Sequence, residues 1–325
     1  MKVYKYRGGD DKTLSRDLDS LIQNSFYAPT VEKLNDPAEA YVDYTEIESI
    51  FKKMNATHVS KALDIVVSLR HTMGVYSLSK NPCDELLWAY YANSHQGFCI
   101  EYDLERLTLE ARVGWTAFDV IYNASPQKLD IDDVLAESEG LIVTNKIIGT
   151  KSHRWAHEDE LRIVTSQSGI NYYAEEAVSG IYFGCRCENK VIDRVRRKLS
   201  GKNFTYYQCK FSKNEYKIKI QKLEYNKEID GELIEYKAPI DNLAIASKVY
   251  TKPENIQYHN FLEKAVELVR RDKSCVNIVY ADFSVNKFDD KNRPYIYIQY
   301  NTSVKTPYND EITRYFTIQQ LQNIE

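Results

Sequence analysis

Polar and apolar residues alternate through Glu160 to Val164, and short runs rich in apolar and aromatic residues mark Val3 to Arg7, Val75 to Ser79, Phe98 to Tyr102, Phe118 to Tyr122, Gly180 to Cys185, Thr205 to Lys210 and Tyr216 to Leu223. Short strands are predicted at all of these. Between them the spacing of apolar residues is helical. Leu14, Leu18, Leu21 and Ile22 share one face of a helix predicted over Thr13 to Ser25, with Thr13 or Ser15 as its cap. Further helices are predicted over Tyr44 to Met54, Val59 to Arg70, Asp84 to Ser94 (capped by Asp84), Asp132 to Ile147 and Lys190 to Leu199. Phe26 to Pro29 reads as extended, Asn35-Asp36-Pro37 as a turn, and Gly97 as a break before the strand at Phe98.

The pattern changes after about residue 222. Residues 224–241 are polar and contain Gly231 and Pro239. This predicts three segments: a domain over 1–222, a linker over 223–241 and an accessory module over 242–325. In the last, Phe261, Leu262, Ala265, Val266, Leu268 and Val269 form the stripe of a helix predicted over Pro253 to Arg271. Strands are predicted at Val276 to Phe283, Pro294 to Tyr300 and Ile312 to Ile318, with Asp289-Asp290-Lys291-Asn292 as a turn. The fold class is α+β.

Composition narrows the function only slightly. A chain of 325 residues with 28% charged and 43% hydrophobic residues is globular in character. Its net charge of -4 gives no global reason to expect a nucleic-acid binder. One basic cluster, Arg194, Arg196, Arg197 and Lys198, reads first as a solvated helix end. No signal-peptide core opens the chain and no run approaches the roughly 20 apolar residues of a membrane span, so a cytoplasmic protein with no membrane partner is expected. Cys83, Cys99, Cys185, Cys187, Cys209 and Cys275 lack zinc-ligand spacing and read as reduced core thiols. Tyrosine is abundant, 26 residues against 11 Phe. It suits half-buried strands, although base stacking would look the same in sequence.

Polar clusters set inside apolar runs are costly unless the polar groups meet each other or a ligand. Five stand out: Tyr4-Lys5-Tyr6-Arg7, Asn35-Asp36-Pro37-Ala38-Glu39, Tyr76-Ser77-Leu78-Ser79, Trp88 to Gly97, and His157 to Arg162. Arg7 beside Gly8-Gly9 offers a planar fork for phosphate or carboxylate, or an ion pair to Glu160. Ser77 and Ser79, two apart on a strand, face one side. Trp88, Tyr91 and His95 make one helical stripe, with Tyr90 on a neighbouring face. Glu158, Glu160 and Arg162 alternate onto one strand face, either as a self-neutralising ladder or as a site.

These clusters in this order resemble a bacterial family of unknown function, family 2971. Its pattern runs Tyr-Lys-Tyr-Arg or Tyr-His-Tyr-Thr, then Asn-Asp-Pro-x-Glu, Ser-Leu-Ser, Trp-x-x-Tyr…His-x-Gly-x-x-x-x-Tyr and Trp-x-x-Glu-x-Glu-x-Arg. Here these are Tyr4 to Arg7, Asn35 to Glu39, Ser77 to Ser79, Trp88 to Tyr102 and Trp155 to Arg162, with Tyr182-Phe183-Gly184-Cys185 as a late strand. The resemblance ends near residue 222. More weakly, a basic residue on the first strand, a Ser-x-Ser strand and a late Glu resemble ADP-ribosyltransferases, including DNA-modifying toxins.

The second resemblance implies a twisted, mainly antiparallel split sheet flanked by helices. It also implies NAD as substrate, no metal, and a nucleic-acid or protein acceptor, in a toxin or phage-defence effector. Glu160 would contact the ribose and stabilise the developing oxocarbenium charge, while Glu158 would orient or deprotonate the acceptor. Arg7, Lys5, Ser77, Ser79, Tyr90, His95 and Arg162 would hold the cofactor, supported by Asn35, Asp36, Glu39 and Trp88. The C-terminal module would select an acceptor or a regulatory partner. One rival is a metal-dependent nuclease or phosphodiesterase with Asp36, Glu39, Glu158 and Glu160 around Mg²⁺. The other is a nucleotide sensor without turnover.

Overall fold

One large sheet is built from β1 (Lys2–Arg7), β2 (Gly74–Ser79), β3 (Phe98–Asp103), β4 (Thr116–Asp119), β5 (Glu160–Thr165), β6 (Val178–Phe183), β7 (Thr205–Phe211) and β8 (Ile218–Lys222). The strand order is β8-β7-β6-β3-β1-β2-β5-β4. Every neighbouring pair is antiparallel except β6 and β7. The computed structural model describes residues 1–108, 115–135, 141–232, 237–272, 274–302 and 311–323. It divides into two units: Met1–Ser200 with Phe204–Gly231, and Glu232–Glu325 with Gly201–Asn203.

In the first unit, Val3, Tyr76, Leu78, Ile100, Tyr102, Leu161, Ile163, Ile181 and Phe183 form one apolar face. Helices α1 (Asp11–Ile22) and α5 (Asn189–Lys198) contribute Leu18, Leu21, Ile192 and Val195 to that core. The opposite face presents Tyr4, Tyr6, Cys99, Tyr182 and Cys209, which pack with Leu87 and Trp88 of α4 (Glu85–Tyr91). A third cluster joins Val75 and Val164 to α2 (Thr45–Lys53) and α3 (Thr57–Ser68).

Several local expectations shift. Asp10, not Thr13 or Ser15, caps α1, its carboxylate accepting from the Thr13 amide. Helix α4 ends at Tyr91 rather than Ser94, because Asn93, Ser94 and His95 all adopt positive φ. The segment Phe118 to Tyr122 divides between β4 and a separate strand, Ile121–Asn123. Of the helix expected over Asp132 to Ile147, Ile131–Leu135 and Leu141–Ile148 are helical, and residues 136–140 lie outside the described set. All six cysteines are free.

Residues 223–241 contain a short helix, Lys227–Asp230. Asp230 of that helix pairs with Arg196 of α5. Ile240 bridges to Ile278, and Ala238 lies in the core of the second unit. In that unit α6 (Asn260–Val269) packs Leu262, Ala265, Val266 and Val269 against a three-stranded antiparallel sheet. Its strands are β9 (Asn277–Phe288), β10 (Pro294–Asn301) and β11 (Glu311–Phe316). The residues before α6, Pro253–Tyr258, form a 3-10 turn rather than the start of one long helix.

Candidate active site

The large sheet is split beside its first strand. β1 pairs with β3 along all six of its residues, but with β2 only at Tyr4 and Ser79. Beyond that point β1 and β2 part, and their backbone groups lose their natural partners. Lys5 Nζ meets one of them, donating to the Ser77 carbonyl at 2.7 Å. A cleft of about 310 Å³ opens there.

Register explains why a split is needed. Residues opposite each other in a sheet share a face. Lys5 sits opposite Ile100, and Arg7 opposite Phe98. Ser79 sits opposite Glu160, and Ser77 opposite Arg162. In an unbroken sheet the first pair and the second set would point to opposite sides. Where β1 and β2 diverge, both Lys5 and Arg7 and the set Ser77, Ser79 and Glu160 line the same cavity.

The cationic wall is built on β1 and α1. Asp17 of α1 lies 4.0 Å from Arg7 Nε and accepts from Arg16 at 2.9 Å. Arg7 Nε is buried and makes no hydrogen bond. Lys5 Nζ sits 4.8 Å from the Tyr76 ring centre. Burial, reinforced by the charge of Arg7, pushes the Lys5 ammonium down to about 7. Lys33 and Arg16 also line the cleft.

The acidic wall gathers three carboxylates from two places in the sequence, Glu39 and the pair Glu158 and Glu160. Lys151 Nζ stands between them, 3.3 Å from Glu39, 2.5 Å from Glu158 and 3.2 Å from Glu160. Arg162 lies beneath, fully buried. It donates to both Glu39 oxygens at 2.7 and 2.9 Å, to Glu160 at 2.9 and 3.1 Å, and to the Ile148 carbonyl. Burial opposes the Glu160 charge, but Arg162 and Lys151 outweigh it and hold its carboxyl down to about 2. Burial wins at Glu39, whose carboxyl is pushed up against the pull of the same two cations. Tyr91 OH donates to Glu158 at 2.6 Å.

The local chain prepares this wall. Glu158 closes a 3-10 turn, His153–Glu158, and Asp159 turns left-handed at φ 42° before β5 begins at Glu160. Aspartate tolerates that conformation better than most residues. Glu158 therefore reaches the cleft from a turn, not as the strand neighbour the alternation predicted. The Glu160 amide donates to Tyr122 OH at 2.8 Å, fixing the strand entry.

Of the residues expected at a site, Arg7, Lys5, Ser77, Ser79, Asn35, Glu39, Glu158 and Glu160 line this one cleft. Arg162 supports it from below. Trp88 is buried under it, donating to the Pro82 carbonyl and packing edge-on against Tyr6. Asp36 turns into its own loop, accepting from the Ala38 amide at 2.9 Å. Tyr90 is exposed beside Tyr91 and His157, outside the cleft lining. His95 is buried away from it near Phe211, because the left-handed turn after α4 carries it toward Gly184. Arg7 pairs with Asp17, and its expected ion pair to Glu160 does not form.

Sequence reasoning missed Lys151, Arg16, Asp17 and Lys33. Lys151 carried a faint signal, a lysine a few residues before an acidic row. The four carboxylates proposed for Mg²⁺ do not gather: Asp36 is in its turn, and the ammonium of Lys151 lies among the other three. Among the described residues no group of His, Cys, Asp and Glu has the geometry to hold a metal ion.

The sequence model of a family described as "Protein of unknown function (DUF2971)" matches residues 87–163. That stretch includes Tyr91, Lys151, Glu158, Glu160 and Arg162, most of the acidic wall. No curated protein and no solved structure matches the chain. Among the described residues, no helix is long and apolar enough to cross a membrane.

Proposed function

We propose that the cleft binds NAD, breaks the bond between nicotinamide and ribose, and passes the ADP-ribosyl group to a macromolecule or to water. One observation carries the reading. Separate motifs supply a cationic wall (Lys5, Arg7) and a hydroxyl-and-carboxylate wall (Ser77, Ser79, Glu158, Glu160) to the same small cavity. Such a cavity suits a ligand with phosphates at one end and a bond that leaves positive charge at the other.

Arg7, with an unused buried N–H, and Lys5 would take the phosphates. Glu160 stays anionic across the physiological range and cannot act as a proton donor. Its role would be electrostatic, facing the oxocarbenium-like ribose. Three carboxylates against two fixed cations leave one net negative charge when all are ionised. Glu158, held by Tyr91 and Lys151, would orient the incoming acceptor hydroxyl, amide or water.

The test is release of nicotinamide from labelled NAD, with DNA, RNA and protein offered as acceptors. Glu160→Gln should lower turnover roughly 10²–10³-fold, the scale of losing one preorganised electrostatic contact. EDTA should have no effect. Full activity in Glu160→Ala would remove that residue from the mechanism. Binding of NAD without release would instead make the cleft a sensor.

A further inference from the structure

The sheet of the second unit has one covered face and one open face. Ile278, Ala281, Phe283, Ile296 and Ile298 point inward to α6 and the core. The register sets Asp282, Tyr297 and Tyr315 side by side across the three strands on the other face. Tyr280 joins them. Its ring lies 6.1 Å from that of Tyr297, which lies 6.2 Å from that of Tyr315. Tyr280 and Tyr315 remain 37% and 40% exposed.

Rings alone do not choose a ligand, because nucleic-acid bases and cations both stack on tyrosine. Charge does. Asp282 lies within the ladder, accepting from Tyr280 OH at 3.3 Å and from the Phe283 amide at 2.7 Å. Among the described residues no cation pairs with it. Glu311, further along the same face of β11, adds a second carboxylate. Both repel a phosphate chain. The ladder already accepts an ammonium at one end, where Lys287 Nζ sits 3.4 Å from the centre of the Tyr315 ring.

We propose that this face docks a basic peptide segment of a partner protein, its Lys or Arg side chains lying over Tyr280 and Tyr297 and pairing with Asp282. The proposal is independent of the NAD reading. It is tested by fluorescence anisotropy of the full chain with a labelled oligo-arginine peptide, a matched Gly/Ser peptide and a labelled oligo-dT. The basic peptide should bind, more weakly as salt rises. Tyr297→Ala and Asp282→Asn should each weaken it about tenfold, the scale of a partly desolvated cation–π or ionic contact. Tyr297→Phe, which keeps the ring face, and Asp290→Asn, which removes an acid in the β9–β10 turn, should bind like the parent. Preferential binding of oligo-dT, equal binding of the neutral peptide, or unchanged affinity in correctly folded Tyr297→Ala and Asp282→Asn would each overturn the proposal.

Discussion

Replacing Arg162 with Met should destabilise the first unit more than any surface change. The side chain is fully buried, forked onto Glu39 and Glu160, and bonded to the Ile148 carbonyl. Methionine fills much of the volume but leaves two buried carboxylates with Lys151 as their one remaining ion-pair partner among the described residues. Breaking a buried pair by removing one partner costs about 3–5 kcal/mol. For a unit of this size that lowers Tm by roughly 6–20 °C, at about 2–4 °C per kcal/mol. The protein supplies its own probe. Its three tryptophans, Trp88, Trp115 and Trp155, all belong to the first unit, so tryptophan fluorescence melts follow that unit alone. Adding Glu39→Gln to the Arg162→Met variant should recover part of the loss, since one stranded charge is gone. A melt within about 2 °C of the parent would show that the carboxylates do not depend on the guanidinium.

The depressed ammonium of Lys5 predicts a pH-dependent anion site: affinity for inorganic pyrophosphate, read by calorimetry, should fall as pH rises through about 7, and Lys5→Arg should flatten that profile. Glu160 has its folded pKa lowered to about 2, so its contribution to stability is present above its usual value near 4.5 and is lost as pH falls from there through about 2; Glu160→Gln should reduce the acid sensitivity of the tryptophan melt in that window. A chain cut after Gly231 should melt higher than one cut after Leu223, because only the longer keeps Asp230 on the nearly buried Arg196; equal melts would place residues 224–231 outside the first unit's stability. Gly97→Ala should destabilise by about 1–3 kcal/mol in a denaturant titration, since its Cβ would lie 2.2 Å from the Arg7 carbonyl.

Most strands of the large sheet were legible because they bury at least one face, and burial imposes a two-residue rhythm; β4, with no fully buried residue, and β8, with only Ile218 buried, are the exceptions. Neighbour order was not legible, since alternation says nothing about which strand lies beside which. The cleft depends on that order. Lys5 and Glu160 belong to faces that a sequence reader would place back to back, and only the parting of β1 and β2 reconciles them. Lys151 escaped notice because a single lysine on a three-residue strand, Thr150–Ser152, has no pattern to betray it. His95 was drawn toward the site by the assumption that α4 continues to Ser94, whereas Tyr90 lies within α4 in either case and faces outward. Three successive left-handed residues, with Gly184 packed against the His95 carbonyl, end the helix early and swing the imidazole elsewhere. The short helix at Lys227–Asp230 was hidden in a segment whose polarity resembles a tether.

The lone Tyr4–Ser79 bridge has a mechanical meaning. It makes the eight strands two panels whose backbone ladders meet at a single rung, with Lys5 and Arg7 on one panel and Glu160, paired with Arg162, on the other. The gap between those groups is therefore set by how each panel twists. A packing change deep in either panel, many residues from the opening, alters the spacing that any bound molecule must span.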